Sequence, residues 1–407
     1  MGDLTSQERA CVEQAMAAGM LRQVETWAAI NSGSRNLDGL TAMASELTDA
    51  FAGLPGHLRL VDPSPVEAID TTGRPCDVPH GRNLHLKVRP DAPVQLLFTG
   101  HMDTVFNVDH PFQALSWLDP GKVLNGPGVA DMKGGIAVML AALHAVEASP
   151  RANLLGYEVV INSDEEVGSL GSAALIVEAA QGKRAALTYE PSALPDGTLA
   201  GARPGSGNFA ITIRGRSAHA GRNPDEGRNA IIAAADLALR LKAAAGPGIK
   251  VNPARIDGGS PNNVVPDLAV LRVNIRPDTL DDQARAQQLI DGSVAAVAAE
   301  HEVRIHAHGH FARPPKPMTP ETEALFGVVR RAGADLGQSI DWKSTGGVCD
   351  GNNIAACGVP VIDTMGVRGG SIHSMEEFLI VESLAERAAL SALTILRLAA
   401  ESSGGAA

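Results

Sequence analysis

Val94-Gln-Leu-Leu-Phe98 is an apolar run that leads directly into Thr99-Gly-His-Met-Asp-Thr-Val105. The second segment carries a histidine and a carboxylate two residues apart, and side chains at positions i and i+2 of a strand leave the same face. His101 and Asp103 are therefore predicted to point together from the carboxyl end of a strand, where sheets of α/β proteins hold their ligands. An imidazole can bind a metal through one ring nitrogen while a carboxylate orients it through the other, although such pairs also occur in ordinary surface loops.

Strands and helices alternate on both sides of this segment. The apolar patterns predict strands at 84–88, 157–162 and 185–189, with a helix at 134–144. Such alternation is typical of an α/β fold with a mostly parallel sheet and covering helices. The carboxyl ends of several strands are then expected to meet at one edge of the sheet.

A different pattern begins after Pro204-Gly-Ser-Gly207 and ends at Pro314-Pro-Lys-Pro317. Between them the order is strand, helix, strand, strand, helix, strand, which is typical of a separate α+β domain of about 100 residues. We therefore expect a discontinuous larger domain, made of residues 1–205 and 316–407, with a smaller domain inserted at residues 206–315. A chain of 407 residues is long enough for two such hydrophobic cores.

The overall charge argues against a polyanionic partner. The sequence has 34 lysines and arginines against 46 aspartates and glutamates, a net charge of -12, which disfavours nucleic acid or an anionic membrane surface as a partner. The chain does not open with a basic segment followed by an apolar one, and no apolar stretch of spanning length is evident, so we expect a soluble, cytoplasmic protein. The four cysteines are scattered, which favours reduced thiols over disulfides or a cysteine zinc site.

Two further motifs place carboxylates before helices. Gly126-Pro-Gly-Val-Ala-Asp-Met-Lys-Gly-Gly135 surrounds Asp131 with glycines, and Asn162-Ser-Asp-Glu-Glu-Val-Gly-Ser169 carries three carboxylates in a row, among them Glu165 and Glu166. A helix N-cap explains the first motif and a favourable helix dipole explains the second. However, neighbouring carboxylates repel each other unless a cation or a proton intervenes. The more specific alternative is that one glutamate binds a metal ion and its neighbour acts as a base on a water molecule held by that ion.

Two more potential ligands lie near the ends of predicted elements. Glu190 follows a strand within Thr188-Tyr-Glu-Pro-Ser192, and His373 precedes a helix within Gly369-Gly-Ser-Ile-His-Ser-Met-Glu-Glu377. Each is weak evidence alone. With the three motifs above they give five sites with oxygen or imidazole ligands that can meet on one edge of one sheet and hold a metal.

The order and spacing of these five motifs resemble those of the co-catalytic di-zinc peptidase and deacylase family over nearly the whole chain. This family includes carboxypeptidase G type glutamate carboxypeptidases, acetylornithine and succinyl-diaminopimelate deacylases, aminoacylases and dipeptidases. The Gly-Val-Arg-Gly-Gly-Ser-Ile-His segment is most similar to the carboxypeptidase G group. The resemblance implies an α/β catalytic domain, with a mixed, largely parallel sheet and helices on both faces, and an inserted α+β (ferredoxin-like) lid that dimerises.

The resemblance also implies a role for each motif residue. Asp131 would bridge two Zn²⁺ ions, for which Co²⁺ or Mn²⁺ can substitute, and Glu165 would be the general base on the bridging water. Asp103 would orient His101, and the peptide bond between Asp131 and Met132 would be cis. The remaining ligands would be His101 and Glu190 on one zinc ion, and Glu166 and His373 on the other.

The inserted domain supplies further candidates through the same resemblance. His219, in Gly215-Arg-Ser-Ala-His-Ala-Gly221, would cross a dimer interface and stabilise the oxyanion. Asn263 and Arg276 would hold the substrate carboxylate, with Arg203 as a third candidate, since a guanidinium can bind a carboxylate through two hydrogen bonds. Without the other motifs, a turn histidine is the better interpretation of His219. A polar strand end and a turn explain Asn263 and Arg276 about as well as a substrate-binding role.

Two other features have plainer interpretations. Three histidines alternate along a predicted strand and have the pattern of a metal site: His306, His308 and His310. Their place in the inserted domain favours an exposed or interface position. Cys349 is interpreted as a small residue packed in a tight turn.

The sequence therefore predicts a zinc-dependent hydrolase that acts on small peptides or N-acyl amino acids. It would cleave an amide bond next to a free carboxylate, as a glutamate carboxypeptidase does, and would form a homodimer through the lid without nucleic-acid or membrane partners. An N-acyl amino-acid deacylase, such as an acetylornithine deacetylase or an aminoacylase, shares every proposed zinc ligand and stays open. A non-catalytic binding module on the same scaffold is disfavoured, because it would be expected to have lost some of these residues.

Overall fold

The computed structural model describes residues 4–400 and is built around two larger sheets. The α-helices are α1 (Ser6–Met16), α2 (Met20–Ala28), α3 (Leu37–Phe51), α4 (Gly134–Glu147), α5 (Ala173–Ala180), α6 (Ala230–Ala243), α7 (Leu280–Glu300), α8 (Pro320–Asp335), α9 (Asp350–Ala356) and α10 (Glu382–Ala400). The β-strands are β1 (His57–Val61), β2 (Glu67–Ile69), β3 (Pro75–Asp77), β4 (Asn83–Val88), β5 (Val94–His101), β6 (Ser116–Asp119), β7 (Val123–Asn125), β8 (Leu155–Asn162), β9 (Ala185–Thr188), β10 (Leu199–Ala200), β11 (Ser206–Arg214), β12 (Ile249–Gly258), β13 (Leu268–Pro277), β14 (Arg304–Arg313), β15 (Trp342–Lys343), β16 (Val361–Ile362), β17 (Gly369–Gly370) and β18 (Phe378–Ile380).

A six-stranded sheet has the order β1-β4-β8-β5-β9-β16. β5 lies between β8 and β9 and runs parallel to both, and β16 is parallel to β9. β1 pairs antiparallel with β4, and β4 pairs antiparallel with β8. The sheet is therefore mixed with a majority of parallel pairs, which confirms the predicted α/β fold.

Neighbouring side chains of β5 face two different hydrophobic cores. Leu96 and Phe98 pack with residues of α1 to α4, α8 and α10, whereas Leu97 packs with residues of α5 and α9 on the opposite face. Helices thus cover both faces of the sheet. Burial on both faces explains why the sequence of this strand is continuously apolar instead of alternating.

The second large sheet has four antiparallel strands in the order β12-β13-β11-β14. α6 and α7 cover one face and enclose a separate core that includes Phe209, Ile211 and Ile290. The alternate residues of β11, such as Asn208 and Ala210, lie on the other face. This arrangement is consistent with the α+β unit expected within residues 206–315, whose boundaries stay a prediction.

A third, smaller sheet was not expected from the sequence. Its order is β17-β18-β7-β6, and each strand has two to four residues, too few for a periodic pattern to stand out. β18 pairs with both β17 and β7. This pairing brings the segment with His373, between β17 and β18, next to the loop with Asp131, which follows β7.

The stretch Val129–Glu147 corrects one expectation, because by length and composition it is apolar enough to cross a membrane. In the structure 94% of it is buried inside the protein, where α4 packs in the main core. Gly135, the second residue of this helix, packs against the carbonyl oxygen of Tyr189, and a Cβ atom at Gly135 would lie 1.9 Å from that oxygen. Only glycine allows α4 to begin so close to the end of β9, and this contact places Asp131 near Glu190.

Candidate metal centre

Three adjacent strands and the start of one helix meet at one edge of the main sheet. β5 ends at His101, the loop after β8 carries Glu165 and Glu166, and the segment after β9 carries Glu190. Asp131 lies in the loop that precedes α4. Because β8, β5 and β9 are parallel neighbours, their carboxyl ends open on the same side and bring these side chains together.

Asp131 lies between two histidines. Its Oδ1 is 3.1 Å from Nε2 of His101, and its Oδ2 is 3.3 Å from Nε2 of His373. Nε2 of His101 is also 3.7 Å from Oε2 of Glu190, and Nε2 of His373 is 3.1 Å from Oε2 of Glu166. The carboxylate of Asp131 therefore faces a different ligand pair with each oxygen, as a bridging ligand does.

These separations fit metal coordination. Ligands bound to a tetrahedral zinc ion at ~2.0–2.1 Å lie roughly 3.3 Å from each other, and the four distances fall between 3.1 and 3.7 Å. Two groups of three ligand atoms lie within 4.8 Å of one another: His101 with Asp131 and Glu166, and His101 with Glu165 and Glu190. A set of imidazole and carboxylate donors suits Zn²⁺ and related divalent ions.

The shifted pKa values of the buried residues also favour a metal centre. Burial, followed by the charge of Asp131, raises the pKa of Glu190 to about 7. Burial also raises the pKa of Glu165 well above its usual value, against the opposing effect of Arg313. Burial disfavours the charged form of His101, yet the charge of Glu190 raises the pKa of this histidine well above its usual value. Divalent cations would offset the crowded negative charge, so these residues fit a metal centre.

Asp103 contacts both His101 and the acidic loop. Its carboxylate accepts hydrogen bonds from the backbone N–H groups of Glu165 and Glu166, at 3.1 and 3.2 Å, and from Oγ of Ser34 at 2.7 Å. Nδ1 of His101 is 3.0 Å from the backbone oxygen of Asp103 and 3.4 Å from its Oδ1. Asp103 therefore positions His101 partly through its backbone, and its carboxylate holds the loop of the proposed base.

A cavity of about 850 Å³ opens over the metal ligands, and Arg276 lies in its wall. Nε of Arg276 donates to Oδ1 of Asn274 at 3.0 Å, and Nη1 donates to the carbonyl of Gly346 at 2.8 Å. Within residues 4–400, Nη2 has no hydrogen-bonding partner. Arg276 is therefore placed to bind an anionic group that enters the cavity.

Arg203 also lines this cavity, but its guanidinium has internal partners. Nε and Nη2 donate to the two carboxylate oxygens of Asp363, at 2.7 and 3.1 Å. Nη1 donates to Thr345 and to the carbonyl of Gly347. With four hydrogen bonds inside the protein, Arg203 has little capacity left for a substrate.

Comparison with known proteins shows which family the chain belongs to. The model of peptidase family M20/M25/M40 matches residues 97–397. The chain belongs to this peptidase family. Carboxypeptidase G2 of Pseudomonas sp. (strain RS-16) is 29% identical over 340 residues, 79% of this chain and 78% of that protein. A succinyl-diaminopimelate desuccinylase of Xanthomonas oryzae pv. oryzae is 30% identical over 333 residues, 76% of this chain and 85% of that protein.

Solved structures share the fold of this peptidase. Aminopeptidase PepT of Bacillus cereus has a TM-score of 0.68 at 23% identity, covering 95% of this chain and 99% of that one. A metallo-carboxypeptidase of Sulfolobus solfataricus has a TM-score of 0.71 at 14% identity, covering 94% and 99%. The chain is therefore a metal-dependent hydrolase with the architecture of this family, as the sequence predicted.

Two candidates from the inserted part of the peptidase lie elsewhere. His219 and Asn263 are exposed, and neither lines the cavity over the metal ligands of its own chain. They are neighbours, since His219 pairs with Val264 and the carbonyl of Asn263 accepts the N–H of Ala220. Within one chain the structure does not bring them to the metal centre. The roles of both stay predictions, and the role predicted for His219 involves a second copy.

Glu377 was assigned no role from the sequence, although it ends the motif that contains His373. Its Oε1 accepts the N–H groups of Ala130 and Asp131, both at 3.0 Å, and its Oε2 accepts the N–H of Gly128 at 3.2 Å. The next peptide bond, from Asp131 to Met132, is cis as the resemblance implied. Burial raises the pKa of Glu377 to about 8, against these three donors. One buried carboxylate thus holds the loop that presents Asp131.

Arg313 is a second residue without a signal in the sequence, because it directly precedes the proline-rich segment that marks the end of the inserted pattern. Its Nη2 donates to the carbonyl of Glu165 at 2.9 Å and to Oγ of Ser169 at 2.8 Å. The same nitrogen lies 2.7 Å from Oε1 of Glu165 and 3.5 Å from Oδ1 of Asp350. Arg313 therefore holds both the backbone and the carboxylate of Glu165.

The three alternating histidines stay apart from the metal centre. Nε2 of His308 lies 3.0 Å from the carbonyl of Glu67 in β2. Across residues 4–400, the potential metal-binding groups include none of His306, His308 and His310. Cys349 is buried in the wall of the cavity over the metal ligands, just before α9. No chemical role follows from its position.

Proposed function

We propose that this peptidase is a two-zinc hydrolase that cleaves an amide bond next to a free carboxylate, as a glutamate carboxypeptidase does. One observation carries the proposal: the same cavity has the candidate metal ligands at its base and Arg276 in its wall. The similarity to carboxypeptidase G2 over 79% of the chain supports the same substrate class.

In this proposal Asp131 holds both ions, His101 and Glu190 complete one site, and Glu166 and His373 complete the other. Co²⁺ or Mn²⁺ can replace Zn²⁺, since the donors are nitrogen and oxygen atoms. Bound at adjacent sites, two such ions lower the pKa of water and polarise a carbonyl group.

Glu165 is the proposed general base. It is 6% exposed, and one of its carboxylate oxygens lies within 4.8 Å of the ligand atoms of His101 and Glu190. It would accept a proton from the attacking water and return it to the leaving amine. Arg313 and Asp103 hold this glutamate in place through its side chain and its backbone.

Replacing Glu165 tests the mechanism. Glu165→Gln should retain two zinc ions per chain and lower kcat by about 10²–10⁴, the usual contribution of a general base. Zinc content is measured by atomic emission, and turnover is measured on folyl or peptide substrates that end in glutamate. Glu178→Gln, an exposed change on α5, is the matched control. Full turnover by Glu165→Gln would contradict the mechanism.

A deacylase that acts on N-acyl amino acids is the second candidate, supported by the 30% identity to a desuccinylase. Both activities require the same metal ligands, so they differ only in the group on the far side of the amide bond. A panel of N-acetyl and N-succinyl amino acids, compared with peptides that end in glutamate, distinguishes them by kcat/KM. Metal-loaded protein that is inactive on every member would instead favour a binding module.

We also propose that the protein is a homodimer in which His219 acts on the partner's site. Ile232 and Leu239 on α6 are 55% and 70% exposed, and Ile256 on the edge strand β12 is 40% exposed, which suits an interface. Mixing inactive Glu165→Gln with inactive His219→Ala tests this arrangement. A mixed dimer would have one site with both residues intact and would regain activity, whereas unmixed samples would not.

A further inference from the structure

Three arginines are buried among residues 4–400, and one of them has no carboxylate partner. Arg203 and Arg313 each contact a buried carboxylate. Arg387, on α10, is 2% exposed, and its guanidinium forms no ion pair with any residue of the same range. Because an arginine stays protonated in proteins, Arg387 places a positive charge in the core without a matching negative charge.

Only part of the Arg387 guanidinium is hydrogen-bonded. Nη2 donates to the carbonyl oxygen of Gly197 at 2.8 Å, whereas Nη1 is buried and has no hydrogen-bonding partner in the described part of the chain. Burial lowers the pKa of Arg387 to about 10. Burial acts in the same direction on Arg203 and Arg313, but their carboxylate neighbours raise the pKa of both above its usual value.

Three buried hydroxyl groups near this guanidinium also lack partners. Ser391 and Thr394 share one face of α10 with Arg387, because they follow it by four and seven positions. The hydroxyl of Ser391 lies close enough to Tyr189 to oppose the rise in its pKa that burial causes. Between Leu4 and Ala400, none of the three hydroxyl oxygens has a hydrogen-bonding partner.

The two hydroxyls of α10 are turned away from their own helix. A serine or threonine inside a helix commonly donates to the carbonyl four residues earlier, as Thr41 and Thr48 do in α3. Neither Ser391 nor Thr394 makes this bond. Both hydroxyls therefore remain available to a ligand beside α10.

An anion matches this set of groups in charge and in hydrogen bonding. A guanidinium nitrogen can only donate, and a hydroxyl group can donate to any acceptor. A water molecule would satisfy these donors but would leave the charge of Arg387 uncompensated. The groups lie in a closely packed interior, which favours a single-atom anion over a phosphate or a carboxylate. Pro195 and Asp196 are exposed just before Gly197, so the guanidinium lies under a surface turn.

We infer that Arg387, Ser391 and Tyr189 bind a halide ion of the size of chloride. The ion would lie between α10 and the segment 189–197. This segment contains the candidate metal ligand Glu190, and several of its residues line the cavity over the metal ligands. A bound halide would therefore connect α10 to one wall of the active site and stabilise it. The inference does not depend on the identity of the substrate.

Crystals of the zinc-loaded protein, grown without halides and then soaked in sodium bromide, test the site directly. Anomalous data collected on both sides of the bromine absorption edge distinguish bromide from zinc. We expect a bromide peak in contact with Nη1 of Arg387 and Oγ of Ser391, and no such peak in Arg387→Met. A water molecule at this position in the wild type, or a bromide peak that persists in Arg387→Met, would overturn the inference.

Thermal unfolding in sodium chloride, compared with sodium gluconate at equal ionic strength, measures the affinity. Gluconate is too large to enter a site for a single atom. At a chloride concentration about tenfold above Kd, the Tm of the wild type should exceed its value in gluconate by about 2 °C. Tyr189→Phe and Ser391→Ala, which each remove one hydroxyl group, should fold and weaken chloride binding by about tenfold.

Thr48→Val is the matched control, because its hydroxyl group is bonded to its own helix and lies on α3. This variant should keep the chloride effect of the wild type. Equal chloride effects in the wild type, Tyr189→Phe and Ser391→Ala would overturn the inference. A bromide peak without any chloride effect on the Tm would mean an adventitious ion only and would overturn it as well.

Discussion

Glu377→Gln is expected to weaken metal binding although Glu377 is not a candidate ligand. The residue is 1% exposed, and its carboxylate holds the backbone from Gly128 to Asp131. Asp131 must direct one oxygen towards each histidine, so a loop that moves by a few tenths of an ångström changes both ligand pairs. The expected effect is therefore on the position of Asp131.

The size of the effect follows from the three hydrogen bonds of Glu377, at 3.0, 3.0 and 3.2 Å. A glutamine can keep its amide oxygen towards Ala130 and Asp131, but its NH₂ group then faces the N–H of Gly128. Two buried donors then face each other, and leaving a buried donor without a partner costs about 1–3 kcal/mol for each group. We expect the loop to be destabilised by about 2–4 kcal/mol, and zinc affinity to fall by about 10–100-fold, as for other residues that orient ligands.

Zinc affinity is measured by competition with a chromophoric chelator, and the stability of the metal-free protein by thermal unfolding. Glu376→Gln is the matched control, because its side chain is exposed on the same segment. Zinc affinity within twofold of the wild type in Glu377→Gln, with unchanged unfolding of the metal-free protein, would refute the reasoning. A loss of zinc affinity in Glu376→Gln of the same size would refute it as well.

Three further changes test other contacts. Asp103→Asn should lower kcat by about tenfold or more while most of the zinc is retained, because orientation is lost and no ligand is removed; zinc analysis and kinetics check this. Arg276→Met should raise KM for substrates with a free carboxylate more than it lowers kcat. Glu158 is buried, which opposes ionisation, but hydrogen bonds from His85 and Lys183 lower its pKa to about 2. Its ionised form therefore stabilises the fold above pH ~4.5 and this contribution is lost as the pH falls towards ~2. Glu158→Gln should cost about 2 kcal/mol at pH 7 and progressively less below pH ~4.5, by chemical denaturation.

The sequence predicted the long elements of the fold well. β5 and α4 have continuous apolar segments because nearly every residue of each is buried, and such segments are readily recognised in a sequence. The short strands β17 and β18 were missed, since two or three residues contain no period. Yet their pairing with β7 brings His373 to Asp131, so a decisive contact of the site depends on elements that only the folded chain reveals.

The sequence predicted some residues of the candidate site and not others, depending on how the position of each residue is fixed. A residue at the end of a buried strand, such as His101, has its position fixed by the sheet, so its motif is informative. Residues that act through the backbone of other loops have no such signal. Glu377 and Arg313 resemble ordinary surface charges in the sequence, and only their burial and their partners up to 249 residues away distinguish them.

The contacts of Arg203 hold together the two segments that connect the main sheet to the second large sheet. Its backbone pairs with that of Lys316, and both side chains bind Asp363, which is fully buried. Removing one member of such a buried cluster costs about 3–5 kcal/mol. Here it would also release the segments that lead into β11 and out of β14, and β11 pairs with the strand β13 that carries Arg276. A variant of Arg203 would therefore lose substrate affinity even if its guanidinium never contacted the substrate. Only a change at Arg276, whose contacts are local to the cavity wall, reports on carboxylate binding itself.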